Sequence, residues 1–160
     1  MEFIVNKENS SVQVKRTFEA PQSDVWAAWT EPEILDQWWA PKPFKSRTKF
    51  MDFREGGRRL YAMVGPNGET HWALADYTSI SPKTNFKLLS GFCDETGNIN
   101  QAMPQSTWNV DFHEADGVTT VQVLIKHDSL TDLEKVIEMG FKEGFTATLE
   151  ELTRLLEIKN

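Results

Sequence analysis

Between residues 44 and 127, apolar side chains recur at every second position, and this alternation limits the possible folds more than any other feature of the sequence. A period of two is typical of strands with one covered face, because successive side chains point to opposite faces of a sheet. Trp108 and Val110, for example, share one face. Asn67-Gly68 and Asp116-Gly117 interrupt the alternation, and such dipeptides favour type I′ hairpin turns. The segment is therefore predicted to be an antiparallel meander of about five or six strands.

The residues before this meander are predicted to form one strand and two short helices. Residues 11–20 alternate like a strand, whereas residues 23–30 have apolar side chains at helical spacing. Thr30 and Glu33 match a capping box, which predicts a second helix from Thr30 to the prolines that follow residue 40. Residues 1–10 are expected to be a loosely held lead-in.

After the meander, one continuous apolar stripe at helical spacing runs over residues 131–157. Thr131 and Glu134 match a second capping box, so we predict a single uninterrupted helix about 38 Å long. The order of elements indicates an α+β fold with the helices on one face of a curved antiparallel sheet. A long helix need not touch a strongly curved sheet along its full length, and the space between them would be a cavity.

Two glycines interrupt this otherwise well-patterned helix. A glycine inside a helix costs about 0.8–1 kcal/mol relative to alanine. Gly140, Gly144 and the small Thr148 are spaced four apart and so form one row on the buried stripe. The row either lets the backbone pack closely against aromatic side chains or keeps a volume open. We expect close packing at Gly140 and cavity space at Gly144.

Composition and charge exclude several classes of protein. The formal net charge of −7 and the pI near 5.0 argue against a nucleic-acid binder. The one dense basic cluster, Arg54, Arg58 and Arg59, is better explained as solvated strand ends than as an anion site. No apolar run is long enough to span a membrane. The single cysteine, Cys93, and the lack of a secretory signal predict a cytoplasmic protein.

The sequence contains no recognisable catalytic or metal-binding constellation. His71, His113 and His127 are widely spaced, unlike a helical metal pair. Cys93 has no histidine nearby in the sequence, and no nucleophile elbow, phosphate-binding loop or dinucleotide motif occurs. We therefore predict no catalytic residue, no metal and no cofactor.

Asp76 is the acidic residue with two possible roles. It is in phase with Trp72 and Leu74, so an inward-facing apolar row would carry its carboxylate into the interior. A buried carboxylate without a cation has a raised pKa and can exchange a proton with a ligand. The other interpretation, which we favour, is that Asp76 turns outward or pairs with a nearby arginine.

Six tryptophans and ten phenylalanines supply more large aromatic side chains than a small core needs, so some of them are candidates to line a cavity. Strand parity alone does not separate lining residues from core residues, and both interpretations stay open. The candidate ligand-binding residues are Phe50, Met63, Trp72, Leu74, Asp76, Leu88, Phe92, Met103, Trp108, Ile137, Phe141 and Gly144.

Four stretches, taken together, resemble one protein family. They are FEAPQSDVWAAWTEPEILDQWWAPKPF, DFREGGRR, GPNGE and IEMGFKEGFTATLEELTRLLE. Their order is similar to that in the SRPBCC superfamily, in the branch named after the C-terminal domain of the activator of the ninety-kilodalton heat-shock protein ATPase. The resemblance covers residues 11–157, with Phe145 at a position where the family more often has tryptophan. It implies a single START-like domain over residues 1–160, with the helix-grip fold and a hydrophobic cavity.

The resemblance implies less about activity, because members include ligand carriers, aromatases and cyclases, stress-related proteins and a co-chaperone domain. The preferred interpretation is binding of a small apolar or amphipathic molecule without covalent chemistry. One alternative is an interaction module for a chaperone or another protein. The other is a cyclase- or lyase-like enzyme that uses Asp76, Tyr61 or Tyr77.

Overall fold

The computed structural model describes residues 1–159, with Lys159 described by its backbone alone; Asn160, the last residue of the predicted domain, lies outside the described residues. In chain order the elements are β1 (Glu2–Asn6), β2 (Ser11–Phe18), α1 (Gln22–Thr30), α2 (Pro32–Trp38), β3 (Lys45–Met51), β4 (Arg58–Val64), β5 (Thr70–Ser81), β6 (Asn85–Cys93), β7 (Ser106–Ala115), β8 (Val118–His127), α3 (Leu130–Glu138) and α4 (Phe141–Lys159).

All eight strands belong to one antiparallel sheet in the order β1-β2-β8-β7-β6-β5-β4-β3. The meander β3 to β8 therefore has the six strands that the alternation allows, and β2 closes against β8. The helices pack on one face of this sheet, where Leu149 and Leu152 of α4 are buried with Val110 and Val123. The predicted α+β, helix-grip arrangement is confirmed. No helix within residues 1–159 is long and apolar enough to cross a membrane.

The two predicted hairpins both form, but with different turns. Asp116 and Gly117 have φ values of 54° and 79°, and they connect β7 to β8 directly, as a type I′ turn requires. In the other hairpin Gly68 has a positive φ but Asn67 does not. The Gly65 N–H donates to the Glu69 carbonyl at 2.7 Å and closes a longer loop. The type I′ prediction for Asn67-Gly68 is therefore wrong.

The expectation that residues 1–10 are loosely held is also wrong. β1 pairs with β2 from Glu2–Lys15 to Asn6–Ser11. The chain reverses between them at Ser10, which has a φ of 54°. Because β1 is an edge strand, Ile4 stays 53% exposed. The side chains of β1 therefore show no strong alternation from which the strand could have been predicted.

Neither predicted capping box exists. The Thr30 hydroxyl donates to the Trp26 carbonyl at 2.8 Å inside α1, and Glu31 is the N-cap of α2 without a side-chain hydrogen bond. For α3 the cap is Ser129, whose Oγ accepts the Asp132 N–H at 3.1 Å. Both pairs match the spacing of a capping box, but in each case the helix starts at a different residue.

The predicted single helix over residues 131–157 is two helices that meet at Gly140. Gly140 has a φ of 91°, in the left-handed region that side chains disfavour. Its N–H donates to the Ile137 carbonyl at 3.0 Å, and its own carbonyl accepts the Gly144 N–H at 2.9 Å. Gly140 therefore ends α3 and begins α4. An added Cβ there would meet no described atom within 4 Å, so the expectation of close packing at Gly140 is wrong.

Candidate functional site

A cavity of about 260 Å³, partly open to solvent, lies between the concave face of the sheet and the two C-terminal helices. The helical wall and the segment after α2 contribute Trp39, Pro41, Val136, Met139, Gly140, Phe141, Gly144, Phe145 and Thr148. The strands β4 to β8, with the loop before β7, contribute Tyr61, Met63, Ala73, Ser90, Gly91, Phe92, Pro104, Ser106, Trp108, Ile125 and His127.

Several aromatic rings of the lining lie in contact with one another. The ring of Trp39 lies with its centroid 5.8 Å from that of Trp108 and 6.3 Å from that of Phe145. Phe141 and Phe145 stack at 5.3 Å with an angle of 17° between the rings. The Trp39 Nε1–H donates to the Tyr61 hydroxyl at 3.0 Å, which fixes the orientation of both rings. The wall is therefore apolar, with its polar groups at defined positions.

Gly144 lies in the helical wall of the cavity. An added Cβ would meet Pro41 Cγ at 3.6 Å, an ordinary van der Waals contact, and no other described atom within 4 Å. Unlike Gly140, Gly144 does not have a left-handed backbone conformation that would require glycine. The absence of a side chain here keeps volume in the cavity, as expected from the sequence.

Beneath the main cavity a smaller chamber of about 30 Å³ shares Trp39, Tyr61, Ser90 and Trp108 with it. Arg59 lies in the wall of this chamber and is 2% exposed. Its guanidinium pairs with Asp36 at 3.3 Å and donates to Ser46 Oγ at 2.9 Å.

The charge of Arg59 is balanced inside the protein. Burial lowers the pKa of the guanidinium, while Tyr61, Tyr77 and Asp36 oppose that change. The Arg59 Cζ also lies 4.0 Å from the centroid of the Tyr61 ring. The other two arginines of the basic cluster have carboxylate partners as well, Arg54 with Asp52 and Arg58 with Asp76. None of the three therefore presents an unbalanced charge for an anion site.

A row of polar side chains crosses the concave face between apolar rows. The strand register places Arg59 opposite Ala75, Ala75 opposite Ser90, Ser90 opposite Ser106, and Ser106 opposite His127. We call Ser90, Ser106 and His127, which line the main cavity, the polar row. Ser106 Oγ accepts the Trp108 Nε1–H at 3.0 Å. The Ser90 hydroxyl makes no hydrogen bond with any residue in the described part of the chain.

His127 ends the polar row at the last residue of β8. Both ring nitrogens are sealed from solvent and make no well-formed hydrogen bond within residues 1–159. Burial lowers the pKa of the imidazole, although the carboxylates of Asp132 and Asp128 and the carbonyl of Gln105 attract its proton. The ring is therefore neutral at neutral pH.

The structure brings half of the candidate ligand-binding residues to the cavity. Met63, Phe92, Trp108, Phe141 and Gly144 line the main cavity, and Leu88 lines the inner chamber. The other six candidates lie elsewhere: Phe50, Trp72, Leu74, Asp76, Met103 and Ile137.

The prediction that Trp72, Leu74 and Asp76 face inward is wrong. Ala73 lines the cavity and Ala75 lines the inner chamber, so the alternate residues of β5 point to the convex face. Leu74 is nevertheless fully buried there, opposite Leu60 and Gly91 in the register. The loop after β6 covers this face, since an added Cβ on Gly91 would meet Ile99 and Gln105. Around Leu74 both faces of β5 are therefore buried, and alternation does not show which one faces the cavity.

Asp76 pairs with Arg58 on this convex face. Its Oδ1 and Oδ2 accept from Arg58 Nε at 2.5 Å and from Nη2 at 3.0 Å. The Arg58 Nη1 also donates to the Gly97 carbonyl at 3.0 Å and so holds the covering loop. The interpretation of Asp76 as an inward-facing acid is therefore wrong. The favoured interpretation, in which Asp76 pairs with a nearby arginine, agrees with the structure.

The remaining three candidates miss the cavity for local reasons. Phe50 follows a register shift after Thr48 and is 49% exposed. Met103 lies in the covering loop, where its neighbour Pro104 lines the cavity instead. Ile137 packs beside the core, while the adjacent Val136 faces the cavity.

The sequence analysis missed several lining residues. Tyr61 was named only as a residue of the enzyme alternative, but it could have joined the ligand-binding candidates, because it shares strand parity with Met63. Trp39 could not, since the neighbouring Trp38 is buried in the core with its Nε1–H on the Ala28 carbonyl at 3.0 Å. Ser90 and Ser106 carry no apolar signal, and their alignment depends on the register between two strands, β6 and β7.

The arrangement offers hydrogen bonds and apolar contacts. Among residues 1–159 no cluster of three or more His, Cys, Asp or Glu could hold a metal ion. Burial raises the pKa of the Cys93 thiol, which favours the unreactive protonated form. What the cavity can do chemically is to enclose an apolar molecule and to bind its polar group.

Comparison with known proteins identifies the family. Residues 19–157 match the family described as "Activator of Hsp90 ATPase homolog 1-like protein". The chain belongs to this family. Because the match includes α1, the whole meander and most of α4, the resemblance noted from the sequence motifs is confirmed. A search of curated proteins finds no significant match.

Solved bacterial structures have the same fold as this member of the family. Protein Ms6760 from Mycobacterium smegmatis is 29% identical, with a TM-score of 0.89 over 98% of this chain and 96% of its own. A protein from Arthrobacter aurescens is 25% identical, with a TM-score of 0.92 over 98% and 91%. One from Staphylococcus epidermidis is 26% identical, with a TM-score of 0.85 over 98% and 94%. The fold is therefore shared over nearly the full length of each chain.

Proposed function

We propose that the protein binds a small apolar or amphipathic molecule in the cavity between the sheet and the C-terminal helices, without covalent chemistry. The observation that carries this proposal is the cavity of about 260 Å³ with its aromatic lining. Protein interiors are close-packed, and voids larger than a water molecule are few. A volume of this size, open on one side, is therefore suited to an occupant.

The residues of the wall support this function. Ala73 and Gly144 leave room where larger side chains would fill the volume. Met63 and Met139 add flexible side chains that adapt to irregular shapes. Because the volume is just below the ~300–1,000 Å³ of pockets for drug-sized ligands, the molecule is a small one.

A binding experiment tests this function with a neutral apolar probe. Isopropenylnaphthalene is dialysed to equilibrium against the wild-type protein, Gly144→Leu and Gly144→Ala. We expect the leucine variant to lose most of its affinity, since the side chain enters the cavity, while the alanine variant keeps most of it. Denaturing mass spectrometry of the purified protein would identify any natural ligand that remains bound.

The matched glycine variants also separate cavity binding from surface adsorption. If Gly144→Leu binds the probe as tightly as the wild type, the probe does not occupy the cavity. If the wild type binds no probe and no small molecule co-purifies with it, the proposed function is wrong.

The family description supports a second candidate, a co-chaperone-like interaction module. The exposed apolar side chains of Ile4 and Val5 on the edge strand β1, with that of Met1 just before it, offer one surface for a partner. Measurement of the ATPase rate of the ninety-kilodalton heat-shock protein with and without this protein tests that function, and an unchanged rate would rule out activation of this chaperone.

The geometry does not support an enzyme that uses Asp76 in the cavity, because this carboxylate pairs with Arg58 on the convex face. Tyr61 and Tyr77 do lie in the walls of the cavity and chamber, but burial raises the pKa of both phenols. A phenol with a raised pKa is a poor general base at neutral pH.

A further inference from the structure

We infer that Ser90 and Ser106 bind the carbonyl oxygen of a small, neutral, otherwise apolar ligand, and that this contact selects the ligand. The inference rests on the proposed function, because it assigns the polar contact inside the same cavity. It names the ligand class as uncharged molecules with a carbonyl group beside an apolar, ring-sized body.

The geometry that supports this inference is the polar row on the sheet side of the cavity. Ser90 and Ser106 are directly opposite on β6 and β7, and both line the cavity. Directly opposite residues on antiparallel strands have Cβ atoms about 4.5–5.5 Å apart. Two hydroxyls at that separation can both reach one ligand oxygen. The residues on either side along these strands, Leu88, Phe92 and Trp108, are apolar.

The hydrogen-bonding capacity of the two serines points to an acceptor. A hydroxyl has one proton to donate and two lone pairs. Ser106 Oγ already accepts the Trp108 Nε1–H, so its proton is available to donate. Ser90 makes no hydrogen bond to a described residue, and its proton is available as well. A carbonyl oxygen has two lone pairs and no proton, and so matches two donors.

Electrostatics argue against a carboxylate in the same place. Arg59 lies beyond Ser90 in the register, separated from it by Ala75, and its guanidinium is paired with Asp36. At the other end of the row His127 is held neutral by burial, and Asp128 and Asp132 lie close to it. The whole chain carries a net charge of −7. An anion would therefore enter the cavity without a cation to balance it, which is costly in a low-dielectric environment.

Matched probes test the inference directly. Acetylnaphthalene carries a carbonyl group, isopropenylnaphthalene replaces its oxygen with a CH₂ group of similar shape, and naphthoate carries a carboxylate. One neutral hydrogen bond changes affinity by about two- to tenfold. We expect wild-type protein to bind acetylnaphthalene at least about twofold more tightly than isopropenylnaphthalene. We expect it to bind naphthoate more weakly than either.

Ser90→Ala and Ser106→Ala should each lower the affinity for acetylnaphthalene by more than the affinity for isopropenylnaphthalene, so that the preference for the ketone is lost. Ser90→Ala breaks no existing hydrogen bond, so its folding should be intact even if Ser106→Ala is unstable. Thr107→Ala is the matched control, because it removes an exposed hydroxyl from the other face of β7, the strand that carries Ser106.

The infrared carbonyl stretch of bound acetylnaphthalene should lie at lower frequency in wild type than in Ser90→Ala.

The outcomes separate this inference from the proposed function. If isopropenylnaphthalene binds in a manner that Gly144→Leu blocks, but acetylnaphthalene binds no tighter, the inference is wrong and the proposed function stands. A preference that persists in both serine variants, or a tighter naphthoate complex, also overturns it. If none of the three probes binds, the proposed function fails and the inference fails with it.

Discussion

Gly140 and Gly144 are the same residue type one helical turn apart, but they are glycines for different physical reasons. Gly140 provides the left-handed backbone at the junction of α3 and α4, with a φ of 91°. Gly144 has helical backbone inside α4 and faces the cavity. The sequence shows both as defects in one stripe, and only backbone conformation distinguishes them.

The two alanine variants should therefore change stability in opposite directions. Gly140→Ala should lower the free energy of unfolding by about 1–2 kcal/mol, the cost of a side chain in the left-handed region. Gly144→Ala should raise it by up to about 1 kcal/mol, because alanine is the better helix former and its Cβ meets Pro41 at an acceptable 3.6 Å. Urea denaturation of both variants measures this, and changes of the same sign would contradict the assignment.

His127 makes stability depend on pH in a defined direction. Burial lowers the pKa of its imidazole in the folded state. As pH falls through about 6.5, the ordinary histidine value, the unfolded chain therefore takes up the proton first, and the free energy of unfolding decreases. That decrease continues until pH reaches the folded-state pKa.

We expect His127→Leu to lose less thermal stability than wild type when pH is lowered from about 7.5 to about 5.5, since leucine has no proton to bind. Asp128 and Asp132, the carboxylates near the ring, stay in both proteins. Thermal unfolding at several pH values gives the comparison. Parallel pH profiles would mean that His127 is not held neutral by burial.

At the scale of the element, β5 shows why a strand can be predicted while its orientation cannot. The alternation in residues 70–81 correctly indicated a strand. Its large residues Trp72 and Leu74 were assigned to the interior, but the small Ala73 and Ala75 face the cavity and chamber. On β5 the small side chains are the ones that face the cavity, which reverses the usual link between size and burial on this strand.

Two substitutions on neighbouring residues of β5 test this orientation. Leu74→Ala should lower the free energy of unfolding by about 2–5 kcal/mol, because it empties a buried site on the convex face. It should leave the affinity for isopropenylnaphthalene unchanged. Ala73→Leu should do the reverse, with a small effect on stability and a large loss of binding. Equilibrium dialysis and urea denaturation of both variants give the answer, and loss of binding in Leu74→Ala alone would reverse the assignment of faces.

The helix boundaries show a similar limit. The apolar stripe correctly predicted helical structure across nearly all of residues 131–157, but not the junction at Gly140. A glycine costs little enough inside a helix that its presence alone does not end one. Ser129, rather than Thr131, caps α3, because the chain leaves β8 at His127 and the first turn follows at once.

At the scale of the whole molecule, the order of elements was predictable because each depends on local periodicity and turn residues. The cavity depended on a global property, the separation between a curved sheet and the helices that cross it. Met63 and Trp108 could be named as candidates from single strands and their side-chain type, whereas the polar row needed the pairing of β6, β7 and β8. Edge strand β1 was missed because its five residues show no alternation of buried and exposed side chains, and its place in the sheet depends on pairing with β2.

The central claim is that the cavity between the sheet and the C-terminal helices is the binding site. Titration of isotope-labelled protein with isopropenylnaphthalene, followed by nuclear magnetic resonance, tests it most directly. We predict that the largest shifts will occur at the Trp39 indole N–H and at the backbone amides of Gly91 and Gly144, which line the cavity. Shifts confined to β1 or to the convex face around Leu60 and Leu74, or no saturable shift at all, would contradict the claim.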